Sequence, residues 1–115
     1  MPEWSVPPPR PNPDDDGWDL TKQRFPAGAL VEGLVVGVQP FGAFLDLGDG
    51  ALGLMEMPAF PQSFQRPGSR EIDYPELGTP LAGRVVDHHD SNRQIRVVAE
   101  NPIRDIRTGT RTSDQ

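Results

Sequence analysis

Residues 28–57, GALVEGLVVGVQPFGAFLDLGDGALGLMEM, decide how this chain folds. From Leu30 to Gln39 the apolar positions Val31, Val35, Val36 and Val38 are β-branched, which suits a pleated strand better than a helix. Gly33 and Gly37 lie inside that run, where they weaken a helix and mark places at which strands bulge or coil. Pro40 and Gly42 interrupt the pattern, and Ala43 to Leu47 resumes it with Phe44, Leu45 and Leu47. Gly48-Asp49-Gly50 then supplies a tight turn, because Asp-Gly accepts the positive φ values that short hairpin loops require. Ala51 to Met57 gives a third short strand.

Working outward, Pro58 to Pro80 holds five prolines (58, 61, 67, 75 and 80) and reads as a long connection with room for a single helical turn. Leu81 to His88 and Gln94 to Ala99 form two more strands around the polar turn Asp90-Ser91-Asn92-Arg93. Five short strands with a long third connection predict a small closed barrel, since closure removes the exposed edges of so short a sheet. Met55, Met57, Phe60, Phe64 and Tyr74 crowd the long connection beside Arg66 and Arg70. These aromatics are expected to cap one open end of the barrel; a docking surface or an Arg-lined groove edge is the other reading.

The flanks differ in composition. Six of the 14 prolines fall within the first 13 residues, and Asp14, Asp15 and Asp16 follow them. Residues 1–27 therefore read as a disordered, acidic, Pro-rich arm, with Trp4 or Trp18 resting loosely on the domain. Within it VPPPRP resembles a docking peptide for polyproline-reading domains, and DDDGWDL an acidic-aromatic interaction motif. Residues 101–115 read as a flexible basic tail, with three basic and two acidic side chains. The body, 28–100, holds five basic and ten acidic side chains, which weakens the long-range attraction to phosphate that supplies most non-specific nucleic-acid affinity but leaves room for a local patch. Ten of the 11 basic residues are Arg, which makes any anion contact forked and stackable. Cysteine is absent, which excludes a disulfide framework and a thiolate metal site. No apolar run reaches membrane-spanning length, and the N-terminal stretch lacks the pattern of a signal peptide. A cytoplasmic domain without membrane contact is the expectation.

The order of these features resembles the S1 RNA-binding domain family. Gly28, Val31, Gly33, Val35 and Val38 match that family's opening, and Phe41-Gly42-Ala43-Phe44 matches its signature. Gly53-Leu54 matches the third strand, Leu77-Gly78 the lead-in to the fourth, and Asp90 and Ile95 the closing hairpin. The resemblance implies an all-β fold, a five-stranded antiparallel OB-fold barrel over residues 28–100. It further implies binding of single-stranded RNA, weak and tolerant of sequence. In such a barrel strands two and three face the ligand and aromatic rings offer π-faces to unpaired bases. Phe41, between Pro and Gly, suits that platform; Phe44, inside an apolar run, suits either the platform or the core. Both reach one face if the Pro40-Gly42 break bulges the chain. Glu56 stands where family members often carry His, and Gln94 where they often carry Arg, with Arg93 and Arg96 close by. The candidate RNA-binding set is therefore Phe41, Phe44, Glu56, Arg84, His88, Asp90, Arg93, Gln94 and Arg96. Arg84, Arg93 and Arg96 are its phosphate contacts, with Arg104, Arg107 and Arg111 of the tail adding salt-sensitive attraction.

Other constellations carry less. Asp87-His88-His89-Asp90 has metal-ligand residue types, but adjacent strand residues point to opposite faces and no further histidine completes a site. No nucleophile and base are paired, and no phosphate loop is present, so neither an enzyme activity nor a cofactor is expected. The alternative function is a protein-interaction module on the same scaffold, with RNA affinity lost to Glu56 and the acidic body and a protein partner met through the N-terminal arm.

Overall fold

The computed structural model describes residues 15–91 and 93–104. In chain order its elements are α1 (Asp15–Arg24), β1 (Leu30–Gln39), β2 (Gly42–Gly48), β3 (Ala51–Glu56), β4 (Pro80–His89) and β5 (Gln94–Val98). Two short 3-10 turns, Met57–Ala59 and Gln62–Phe64, lie between β3 and β4. The strands close into a barrel in the order β1-β2-β3-β5-β4, antiparallel throughout except where β3 and β5 run parallel. This is the OB-fold barrel that the strand pattern and the resemblance imply. Among the described residues no helix is long and apolar enough to cross a membrane.

The Asp-Gly turn forms as its residues require. Gly48 pairs with Ala51, leaving Asp49 and Gly50 as a two-residue loop with φ of 55° and 77°. The Asp46 carboxylate accepts the Gly48 N–H at 2.9 Å and fixes the turn's entry. The β1–β2 connection differs from expectation. Gln39 pairs with Gly42, so Pro40 and Phe41 form a tight turn without a bulge. The irregularity lies instead in β1, between Val35 and Gly37. Val36 is the extra residue, and the kink it introduces helps the strand coil around the barrel.

Inside the barrel Val35, Val38, Ala43, Leu45, Met55, Ile95 and Val97 form one cluster with the residues that close its ends. One end is closed by the β3–β4 connection. Phe60 is fully buried there, with the Phe64 and Tyr74 rings 5.9 and 5.5 Å from its own. The expected capping role holds, and Arg66 of the same loop is tied to Glu71 and Asp73.

The other end carries the largest departure from the sequence reading. Asp15–Arg24, assigned above to a disordered arm, forms a helix that closes this end of the barrel. Lys22 and Arg24 in its last turn complement the helix dipole. Trp18 is buried in the main core cluster, which is much more than a loose contact. Burial of an indole ring is worth about 1.5–3 kcal/mol or more, enough to hold a helix too short to be stable alone. The tail reading also changes at its near edge. Ile103 and Arg104 donate backbone hydrogen bonds to the Phe60 and Pro58 carbonyls, so 101–104 is bound to the end-closing loop. The expectations for 1–14, including VPPPRP, and for 105–115 concern segments outside the described residues.

Candidate nucleic-acid interface

Strand alternation sorts the candidate residues onto faces. Gly53 pairs with Ile95, whose side chain is inside the barrel; one step on, Leu54 pairs with Arg96 and both therefore point outward. Phe44 pairs with Leu54 and Asp87 pairs with Arg96, which extends this outward row across β2, β3, β5 and β4. Phe44 is only 8% exposed and yet stands outside the main core cluster. It is neither a free platform nor barrel core. It is the footing for Phe41, whose ring meets it edge-on at 6.0 Å and 89°.

Phe41 is 51% exposed. Its backbone is held from both sides, with its carbonyl accepting the Met57 N–H at 2.8 Å and the Tyr74 hydroxyl donating to the preceding Pro40 carbonyl at 2.5 Å. Gly42 is needed for this arrangement. A Cβ there would lie 2.4 Å from the Met55 carbonyl oxygen, so only glycine lets β2 approach β3 beside the ring. The result is an aromatic face held open to solvent by a rigid turn.

Beside this pair the charges are arranged in opposition. Arg96, 23% exposed, has its guanidinium 3.2 Å from Asp87 and 3.7 Å from Glu56. Arg96 Nε and Asp87 Oδ1 are both buried and make no well-aligned hydrogen bond, so their contact is mainly Coulombic. His89 lies 3.6 Å from the same carboxylate and pairs across the hairpin with Gln94. One cation between two carboxylates leaves the spot short of positive charge, and a phosphate must compete with both acids for Arg96.

Three of the other candidates are engaged elsewhere. Asp90 accepts the Trp18 indole N–H at 2.8 Å and the Lys22 ammonium at 2.9 Å. The Lys22 hydrogen bond first, and the Trp18 bond second, hold the Asp90 carboxyl below its ordinary range; the same Asp90 bond raises Lys22. His88 Nε2 donates to the Phe25 carbonyl at 2.6 Å, and its ring meets Trp18 edge-on at 6.1 Å. His88 and Asp90 thus anchor α1, and neither carries the exposed ring or free charge a ligand would need. Arg84 donates to the Gly28 carbonyl at 2.8 Å and lies 3.4 Å from Glu100. Arg93 sits in the β4–β5 turn with φ of 53°, and Gln94 begins β5. The structure therefore gathers Phe41, Phe44, Glu56 and Arg96 on one face, and adds Leu54 and Asp87, which sequence reasoning missed. Asp87 is legible only with β4 in register: the bulge between Val85 and Asp87 shifts its alternation.

A five-stranded closed barrel of this order, with an aromatic pair at the entry to its second strand, is an OB-fold barrel. No family model matches the chain. Among curated proteins it is 28% identical over 92 residues to small ribosomal subunit protein bS1 of Rickettsia typhi, covering 78% of this chain and 16% of that one. It is also 26% identical over 84 residues to 4-hydroxy-3-methylbut-2-enyl diphosphate reductase of Fusobacterium nucleatum, covering 73% of this chain and 10% of that one. The chain thus spans 10% to 16% of the length of these relatives. Among solved structures, Mycoplasma genitalium RNase R in complex with ribose methylated single-stranded RNA superposes with a TM-score of 0.55 at 13% identity, over 71% of this chain and 14% of that one. GSP13 from Bacillus subtilis superposes with a TM-score of 0.50 at 20% identity, over 79% of this chain and 62% of that one. The chain carries an S1-like OB-fold domain.

Proposed function

We propose that this domain binds single-stranded RNA, weakly and with little sequence preference, and has no catalytic role of its own. The observation that carries the reading is Phe41, an exposed ring braced on a buried Phe44 at the start of β2. A base stacked on such a ring contributes about 1–3 kcal/mol whatever its identity. The bS1 relatives and the RNase R structure with single-stranded RNA support the ligand class. Arg96 supplies the adjoining guanidinium, and its two carboxylate neighbours account for the weakness. Arg93 in the β4–β5 turn and Gln94 at the start of β5 extend the proposed interface beyond it. With few phosphate contacts, the salt dependence is shallow, a log–log slope of about −1. Fluorescence anisotropy with a short labelled oligouridine at two salt concentrations tests the proposal. Saturable binding that weakens modestly with salt is expected; absence of binding at low salt contradicts it.

A protein-interaction role is the second reading, favoured by Glu56 and Asp87 closing on Arg96. It predicts that an intact barrel shows no RNA affinity at any salt concentration. The docking idea for DDDGWDL is weakened because Trp18, its aromatic anchor, is buried between α1 and the barrel.

A further inference from the structure

The outer face of β1 and β4 carries an aliphatic strip that runs up to the Phe41 pair at Val36. Alternation along β1 points Leu30, Glu32, Leu34 and Val36 outward. Leu34 pairs with Pro80, and Glu32 with Ala82, so exposed Pro80 and Ala82 continue the surface onto β4. Leu77 joins it from the preceding loop, where Gly78 N–H and the Thr79 carbonyl bond to the Val35 backbone. Leu30, Leu34, Val36 and Leu77 are between 41% and 69% exposed, although β1 is hydrogen-bonded on both sides and has no free edge. A shallow hollow of about 360 Å3 opens beside Leu34, lined also by Glu32, Asp46, Leu47 and Pro80.

The rim of this strip is acidic. Glu32, Asp46 and Glu76 are exposed, and no ion pair within the described residues engages them. Arg84, opposite Leu30, borders the strip, and Glu100 offsets it. Contiguous exposed aliphatic groups with a charged rim mark interaction surfaces. Charge then selects the occupant. RNA and anionic lipid are repelled by three carboxylates, and among the described residues of the strip no aromatic ring offers a base a stacking face. A second copy of this chain would set the same carboxylates against one another.

We propose that the β1–β4 strip docks a cationic amphipathic segment of a partner protein, with its apolar residues on Leu34 and Leu77 and its Lys or Arg side chains on Glu32, Asp46 and Glu76. Such a segment, seated on Leu34 and Leu77, leaves the Phe41 ring uncovered, so protein and RNA occupy neighbouring faces of the barrel that meet along β2.

Chemical-shift mapping on the 115-residue chain tests this, with a short Leu/Lys amphipathic peptide as probe, its Leu/Glu counterpart as control and oligouridine in a separate titration. The Leu/Lys peptide is expected to shift β1 and β4 residues around Leu34, and the Leu/Glu peptide to shift none. Leu34→Ser with Leu77→Ser, both exposed and so neutral to folding, weakens peptide binding by about tenfold or more while oligouridine binding is unchanged. Glu32→Lys with Glu76→Lys weakens it by about fivefold and removes its salt dependence. No peptide binding, equal binding of both peptides, or binding unaffected by Leu34→Ser with Leu77→Ser overturns the proposal. Oligouridine shifts centred on the strip overturn it as well. Self-association that Leu34→Ser abolishes shows the strip to be a homodimer face and also overturns it. Failure of oligouridine alone bears on the RNA reading and leaves this one standing.

Discussion

Two aromatic pairs in this barrel share one geometry and differ in everything else. Trp18 and His88 meet edge-on at 6.1 Å and 89°; Phe41 and Phe44 meet edge-on at 6.0 Å and 89°. The first pair joins helix α1 to β4, its indole N–H held by Asp90 and its imidazole by the Phe25 carbonyl. The second sits on a two-residue turn, and its outer ring is half exposed. Ring geometry therefore says nothing about role. What covers the ring, and whether its polar neighbours are already satisfied, separates an anchor from a platform.

The largest effect is expected where the anchor is removed. Trp18→Ala costs about 3–5 kcal/mol, measured by denaturant unfolding, and leaves RNA affinity of the folded fraction unchanged. Because that loss is a large share of a small domain's stability, Trp18→Phe provides a milder version with the same sign. Next comes the turn that presents the platform. Gly42→Ala forces a Cβ against the Met55 carbonyl and separates β2 from β3, costing about 1–3 kcal/mol and reducing RNA binding as well. A Trp18 variant that lost RNA affinity while folded, or a Gly42 variant that kept it, would merge the two regions that the structure divides.

A smaller effect follows from pH. Asp90 is held below its ordinary range in the folded chain, so its contribution to docking α1 is complete above the usual Asp pKa. That contribution is lost as pH falls through the depressed folded value. Lys22, raised by the same contact, contributes fully below the usual Lys pKa and loses its share as pH rises through the folded value. Trp18 fluorescence in a Trp4→Phe background is expected to report a loosened helix at both extremes, with Asp90→Asn removing the acid limb. The smallest expected change sharpens the platform side. Glu56→Gln frees Arg96 from one of its two carboxylates and raises RNA affinity about threefold, with a steeper salt dependence.

The barrel itself was legible because its signals are local: β-branched alternation, the Asp49-Gly50 turn and a Pro-rich connection with enough aromatic rings to close an end. Helix α1 was not. Its ten residues have only Trp18 and Leu20 as large apolar groups, so helical periodicity has almost nothing to act on. Three consecutive aspartates beside a proline run read as a solvated leader, and the partner that makes Trp18 an anchor, Asp90, lies 72 residues away. The same long-range contact explains why His88 and Asp90 read as groove residues. In the candidate site, Phe41 was legible from its Pro-Gly surroundings. The role of Phe44 as a footing was not, because alternation alone cannot say that an outward residue will be covered by its neighbour. Asp87 was hidden by a bulge, and the Tyr74 brace on Pro40 joins residues 34 apart with no local signal.

The central claim is that the exposed ring of Phe41 is a base-stacking surface and contributes little to the fold. Oligouridine affinity and unfolding free energy, measured together for Phe41→Ala and the unaltered chain, test it most directly. The expected result is a loss of affinity of about tenfold or more with stability changed by less than about 1 kcal/mol. Unchanged affinity, with the barrel folded and binding RNA, would contradict it.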